Sequence, residues 1–156
     1  MIPERLVAFL DGPVVMNAAS RDGRLQPHIS RAFGKVQVAD RKAIGFYVPR
    51  QYAPKMLDNL AHNKRVALVA ADLTNFETYQ LKGEFESARE CGRQDCASID
   101  AYLEQIKGAC VQVGYPEDLV RRWAMWEYKS CVAVCFAVET AFCQTPGPGT
   151  GNPVSQ

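Results

Sequence analysis

Three short segments carry residues whose types and spacing could do chemistry. The first is Pro27-His28-Ile29-Ser30-Arg31-Ala32-Phe33-Gly34. On an extended strand Ile29, Arg31 and Phe33 point one way while His28, Ser30 and Ala32 point the other. Polar groups therefore fall on both faces, which reads either as a binding strand or as a solvated edge. The second is Val48-Pro49-Arg50-Gln51-Tyr52-Ala53-Pro54-Lys55, a strand end, a loop and a helix start with two cations. Helix-start amides and cations together can hold a phosphate. The same composition also suits an ordinary surface loop. The third is Tyr79-Gln80-Leu81-Lys82-Gly83. Gln80 in a half-buried strand can donate to and accept from a ring bearing imide and carbonyl groups, or simply face water.

Other chemistry is thinly supported. The two histidines, His28 and His62, are too few for a histidine-based metal centre. The six cysteines include Cys91 and Cys96 around a polar turn, but zinc would want tighter ligand pairs. Cys131 and Cys135 lie in an apolar run, where a thiol behaves as a small hydrophobe. No Walker or dinucleotide-type glycine loop is present, and no Ser-His-Asp arrangement can be placed. Trp123 and Trp126, three residues apart, suit core packing or an interface.

The elements that must position these residues follow from hydrophobic periodicity. A short helix is expected over 3–10, closed by Asp11-Gly12-Pro13. A strand over 14–19 turns at Asp22-Gly23 and returns over 26–33, extending toward 38. After a turn around 39–42, a third strand covers 43–48, so the first half is a meander. A helix over 52–62, strands over 66–71 and 78–87, a helix over 97–113 and a second short helix opening at Pro116 come next. A last strand spans 130–138, and the Pro/Gly-rich residues 144–156 read as an extended tail. The chain of 156 residues is then a single domain over 1–143 followed by that tail. About six strands joined mostly by hairpins favour a mainly β fold, an antiparallel barrel with flanking helices, because closure removes exposed edges.

With 47% apolar and 22% charged residues and a formal net charge of +1, the composition is that of a globular protein. It gives no reason to expect nucleic acid or a membrane as partner. No secretory signal and no apolar run of spanning length is evident, so a cytoplasmic protein is expected.

Taken in order, Pro27-His28-Ile29-Ser30-Arg31, Ile44-Gly45-Phe46-Tyr47-Val48, Asn59-Leu60-Ala61-His62-Asn63-Lys64-Arg65-Val66-Ala67-Leu68 and Tyr79-Gln80-Leu81-Lys82-Gly83 resemble the pyridoxamine 5′-phosphate oxidase-like FMN-binding split-barrel superfamily. The resemblance covers residues 14–83 and resumes near the C-terminus. It implies a six-stranded split barrel and a homodimer with FMN at the interface. It implies that His28, Ser30 and Arg31 lie along the flavin, that Val48, Arg50 and Lys55 approach its phosphate, and that Gln80 reaches its ring. The chain departs from the family pattern at Ala53-Pro54, where Ser or Thr is common before the lysine, and lacks the arginine-rich C-terminal substrate signature of the oxidase proper. The implied function is an FMN-dependent oxidoreductase in which the flavin carries the hydride chemistry and no side chain is assigned as acid or base. The alternatives are a non-catalytic flavin or haem binder, with His28 the first residue to check for haem, and a deazaflavin-dependent reductase.

Overall fold

A computed structural model of the chain describes residues 2–36, 42–124 and 130–154. Ten elements follow in order: α1 (Glu4–Leu10), β1 (Val14–Arg21), β2 (Pro27–Val36), β3 (Ala43–Pro49), α2 (Ala53–Asn63), β4 (Arg65–Asp72), β5 (Thr78–Glu90), α3 (Arg93–Gln112), α4 (Glu117–Ala124) and β6 (Cys131–Cys143). The strands close into a barrel in the order β1-β2-β3-β6-β5-β4, every pairing antiparallel. The fold is thus a closed six-stranded, mainly β barrel with flanking helices, as the hairpin pattern predicts. Most of the expected turn at 39–42 lies outside the described residues.

Alternation along the strands fills the interior. Met16 and Ala18 of β1, Ala32 of β2, Phe46 and Val48 of β3, Leu68 of β4, Leu81 of β5 and Phe136 of β6 are buried in one apolar cluster. Both barrel ends are closed by helices. Leu6 and Leu10 of α1 join the core, and the Phe9 ring meets Tyr79 edge-on at 4.9 Å between centroids. At the other end Met56 and Leu60 of α2 are fully buried. Side chains of this size contribute about 2 kcal/mol each on burial, so sealing both ends is a large share of the fold's stability.

A second apolar cluster lies outside the barrel. Ile99, Tyr102, Leu103, Ile106 and Cys110 recur at three or four residues along α3 and pack on Phe33, Val36, Tyr47, Cys131 and Ala133. Gly34, at φ +56, makes this possible. The register of β2 against β3 slips between Phe33 and Lys35, a bulge that turns Val36 into the outer cluster. Lys35 pairs with Asp11 at 2.5 Å.

Two expectations are corrected. The last strand runs to Cys143 rather than ending near 138. Residues 144–154 are not an extended tail: they turn through Pro146–Gly151 and come back along β6, where Val154 N–H donates to Ala141 C=O and Phe142 bridges Pro153. Repeated glycines permit those turns. Among the described residues, no helix is long and apolar enough to cross a membrane.

Candidate functional site

The strand that carries the first of the three segments, β2, presents two chemistries on two faces. In the β1–β2 register Met16 opposes Ala32, Ala18 opposes Ser30 and Ser20 opposes His28. This row faces the barrel interior, because Met16, Ala18 and Ala32 are core residues. Arg31 opposes Asn17 on the outer face.

Inward, the polar residues gather beneath α2. Asn59, 3% exposed, donates its amide to Ser20 Oγ at 3.0 Å. Ser30 is buried and donates to the Arg31 carbonyl at 3.0 Å. His28 Nε2 is buried with no hydrogen-bond partner among the described residues.

Outward, Arg31 and Asn17 stand in the wall of a cavity of about 460 Å³. Val15 and Phe33 complete the barrel side, Tyr102, Leu103 and Ile106 of α3 form the roof, and Tyr115 and Leu119 stand half-open to solvent. This size falls within the range of about 300–1,000 Å³ usual for small-molecule sites, and apolar walls with a few polar groups are their usual lining. The Tyr102 ring meets Phe33 edge-on at 6.4 Å, and its hydroxyl donates to Val14 C=O at 2.8 Å, so the roof is pinned to β1. Desolvation raises the Cys110 pKa, so this thiol stays protonated in the cavity wall.

The base of α3 is held by a polar knot. Asp95 is 7% exposed, accepts both Arg89 Nη1 and Nη2 at 2.7 and 2.8 Å, and also accepts the Tyr47 hydroxyl at 3.0 Å. It further accepts the Gly92 N–H at 2.8 Å, which caps the helix start. The Arg89 hydrogen bonds hold the Asp95 carboxyl well below the usual carboxylate range. Burial, with the Asp95 bond second, pushes the Tyr47 phenol up to about 12. Cys91 is raised to about 12, chiefly by burial, so it is no ready nucleophile.

The remaining sequence candidates are spread out. Gln80 is half-buried on the outer face, in one cross-strand row with Arg31, Asn17, Val69 and Phe142. Val48 is fully buried in the barrel core and offers a ligand nothing but backbone. Arg50 donates to Ser130 Oγ at 2.5 Å and pairs with Glu90. Lys55 is exposed in the first turn of α2, and its charge reaches Asp22 in the β1–β2 turn. Arg31 and Gln80 thus share a face, His28 and Ser30 share the opposite one, and Arg50 is tied to the far end of β5. Phe33 falls on the Arg31 face, as period two along β2 predicts, whereas Asn17 and Tyr102 of the cavity were not singled out for chemistry. The signal for Tyr102 was the apolar spacing of α3, which says that a helix covers something without saying what. Trp123 lies in α4, and Trp126 falls outside the described residues.

A family model described as pyridoxamine 5′-phosphate oxidase matches residues 2–125. The chain belongs to this family. Three solved structures share the fold. HupZ from Group A Streptococcus is 18% identical, with 97% of this chain and 100% of that one covered at a TM-score of 0.55. An F420 reductase is 14% identical, with 90% and 98% covered at 0.55. A putative pyridoxamine 5′-phosphate oxidase from Lactobacillus delbrueckii is 16% identical, with 90% and 93% covered at 0.53. No curated protein matches the sequence.

Proposed function

We propose that this family member is a cytoplasmic, FMN-dependent oxidoreductase that holds its flavin in the cavity between the outer wall of β1 and β2 and the helices α3 and α4. The observation that carries the reading is Arg31, a permanent cation set beside Asn17 in a mainly apolar and aromatic cavity of about 460 Å³. Such a lining suits a flat, largely apolar ring system with an anionic end. Arg31 would hold the phosphate through charge-assisted bonds. Phe33 and Tyr102 would flank the ring, and the Asn17 amide can both donate and accept at its edge. Bound flavin supplies hydride transfer, while the chain binds it, orients it and keeps water from its faces.

FMN titration, followed by flavin fluorescence, is expected to saturate in the micromolar range. Arg31→Ala is expected to weaken FMN about tenfold or more, since a hydrogen bond to a charged group contributes about 1.5–3 kcal/mol. The same variant should leave riboflavin, which has no phosphate, unchanged. No binding of FMN at high micromolar concentration sinks the proposal. Reduction of bound flavin by NADH or NADPH separates the enzyme from a carrier. Parallel titration with F420 tests the deazaflavin reading, which the likeness to an F420 reductase suggests. Haem is less favoured, because His28 Nε2 is enclosed by protein rather than open to iron.

A homodimer forms part of the same proposal. Ile29, 67% exposed, lies on the outer face of β2 two residues from Arg31, a large apolar side chain suited to a second copy. Sedimentation is expected to give a dimer at micromolar concentration, and Ile29→Asp is expected to shift it toward monomer. A wild-type monomer at that concentration removes the interfacial part of the proposal.

A further inference from the structure

Away from the Arg31 cavity, an open cleft of about 520 Å³ runs across the ends of β1, β4, β5 and β6. Its charged lining is Arg21, Arg65 and Lys82 against one carboxylate, Glu139. Between them lies a floor of small residues, Ala19, Ala67 and Gly83. The register explains the grouping. Ala19 opposes Ala67, Ala67 opposes Lys82 and Lys82 opposes Thr140, one row on the outer face. Adjacent strands stand about 4.8 Å apart, so the cations edge a shallow trough rather than meeting at a point.

The carboxylate is there because of a backbone irregularity. Lys82 pairs with Thr140 but Gly83 pairs with Val138, so Glu139 is the extra residue of a bulge. The bulge aims Glu139 at Arg65, whose Nη1 it binds through both oxygens at 3.0 and 2.8 Å. Lys64 and Glu84 pair with each other at 3.5 Å beside it. Lys82 Nζ stands 5.1 Å over the Phe142 ring. Among the described residues neither Arg21 nor Lys82 forms an ion pair with a carboxylate. Arg21 donates to the Asp22 carbonyl at 3.4 Å, while the Asp22 carboxylate accepts the N–H groups of Arg24 and Gln26. The cleft therefore holds Lys82, Arg21, whose charge reaches the adjacent Asp22 carboxylate without forming a salt bridge, and Arg65, which Glu139 neutralises.

We infer that this cleft binds the diphosphate group of a nucleotide-sized molecule, with Arg21 and Lys82 as its cationic ligands and Glu139 competing with the ligand for Arg65. The alanine floor leaves room for the sugar and base, and the Thr140 hydroxyl adds a donor at the rim. The ion pair of Arg65 and Glu139 is about half exposed, so breaking it to admit a phosphate costs little.

The test uses ADP, inorganic pyrophosphate and adenosine in calorimetric titrations of the full chain, at low and at physiological ionic strength. ADP and pyrophosphate are expected to saturate at one site per chain and to weaken with salt, and adenosine is expected not to bind. Arg21→Ala and Lys82→Ala should each weaken ADP about tenfold, the worth of one charge-assisted bond. Glu139→Gln should strengthen it severalfold by releasing Arg65. A merely structural ion pair predicts no gain in that variant, whatever its melting temperature. Saturating FMN should leave ADP binding in place, which separates the cleft from the flavin reading. No saturable ADP binding at millimolar concentration, unchanged affinity in all three variants, or displacement of ADP by FMN overturns the inference.

Discussion

Asp95→Ala is expected to lower the stability of this protein by about 2–3 kcal/mol, the scale of losing several hydrogen bonds to one buried carboxylate whose cationic partner is half exposed. The substitution strips four bonds at once: two from Arg89, one from the Tyr47 hydroxyl and one from the Gly92 N–H. The buried Tyr47 hydroxyl loses its acceptor and keeps only Ser98 as a side-chain hydrogen-bond partner, and a poorly satisfied buried donor costs about 1 kcal/mol by itself. Tyr47→Phe, which removes the donor along with its bond, should cost only about 1 kcal/mol. The Arg89 side chain is half exposed and can return to water, which keeps the total from rising further. The effect depends on pH with a definite sign. The folded-state pKa of Asp95 is depressed, so the stability it gives is complete above the unfolded carboxylate pKa of about 3.9 and is lost as pH falls through the folded value. Chemical denaturation at neutral pH and at pH near 3 should therefore show the variant's deficit shrinking in acid. A deficit that stays constant or grows there is incompatible with this account. The variant also reaches the proposed flavin site, because Asp95 anchors the start of α3 and α3 roofs the cavity.

Much of this architecture is legible in the sequence, for identifiable reasons. Strands such as β1 have one face more buried than the other, so alternation marks them, while β3 is buried throughout and reads as a continuous apolar run; Asp22-Gly23 marks the first turn. The apolar spacing of α3 gives the helix and its buried face. The split of β2 into a His28/Ser30 face and an Arg31 face follows from period two alone. What alternation cannot say is which face lies inside. That is settled by Ala18 and Ala32, whose burial depends on Leu68 of β4 and Leu81 of β5, far along the chain from both. Two of the three register shifts among the described residues, those at Gly34 and Glu139, are equally hidden. Gly34 and Glu139 shift register only because a neighbouring strand is already in place, and each redirects side chains that a simple alternation misassigns. The tail was misread for a related reason. Proline and glycine forbid a regular element, but they do not forbid turns that bring Val154 back to β6. Arg50 and Lys55 share a segment and yet diverge, since Glu90, a residue forty positions on, captures the first.

Substituting two glycines should move stability in opposite directions. Gly83→Ala is expected to destabilise the barrel by at least about 3 kcal/mol, the upper end of what overpacking costs. A Cβ built at Gly83 would stand 1.8 Å from the Ala137 carbonyl oxygen and 3.1 Å from Phe136 Cδ2. The first obstacle is backbone of the neighbouring strand, which cannot rotate away as a side chain can. Relief requires β5 and β6 to separate at the bulge, where Gly83 pairs with Val138 in the longest strand pairing of the barrel. Gly108→Ala should instead stabilise by about 0.5–1 kcal/mol, the helix-propensity difference between the two residues. Gly108 lies exposed inside α3, and a Cβ there meets nothing within 4 Å. Chemical denaturation of both variants provides the comparison. A neutral Gly83→Ala would mean that β5 and β6 do not approach at this bulge, and the position of Glu139 in the cationic cleft would then have to be reconsidered. If both variants fall within experimental error of wild type, the close strand approach and the exposed helix face would both be wrong. The signs are expected to differ because the same methyl group meets a fixed carbonyl in one place and open water in the other.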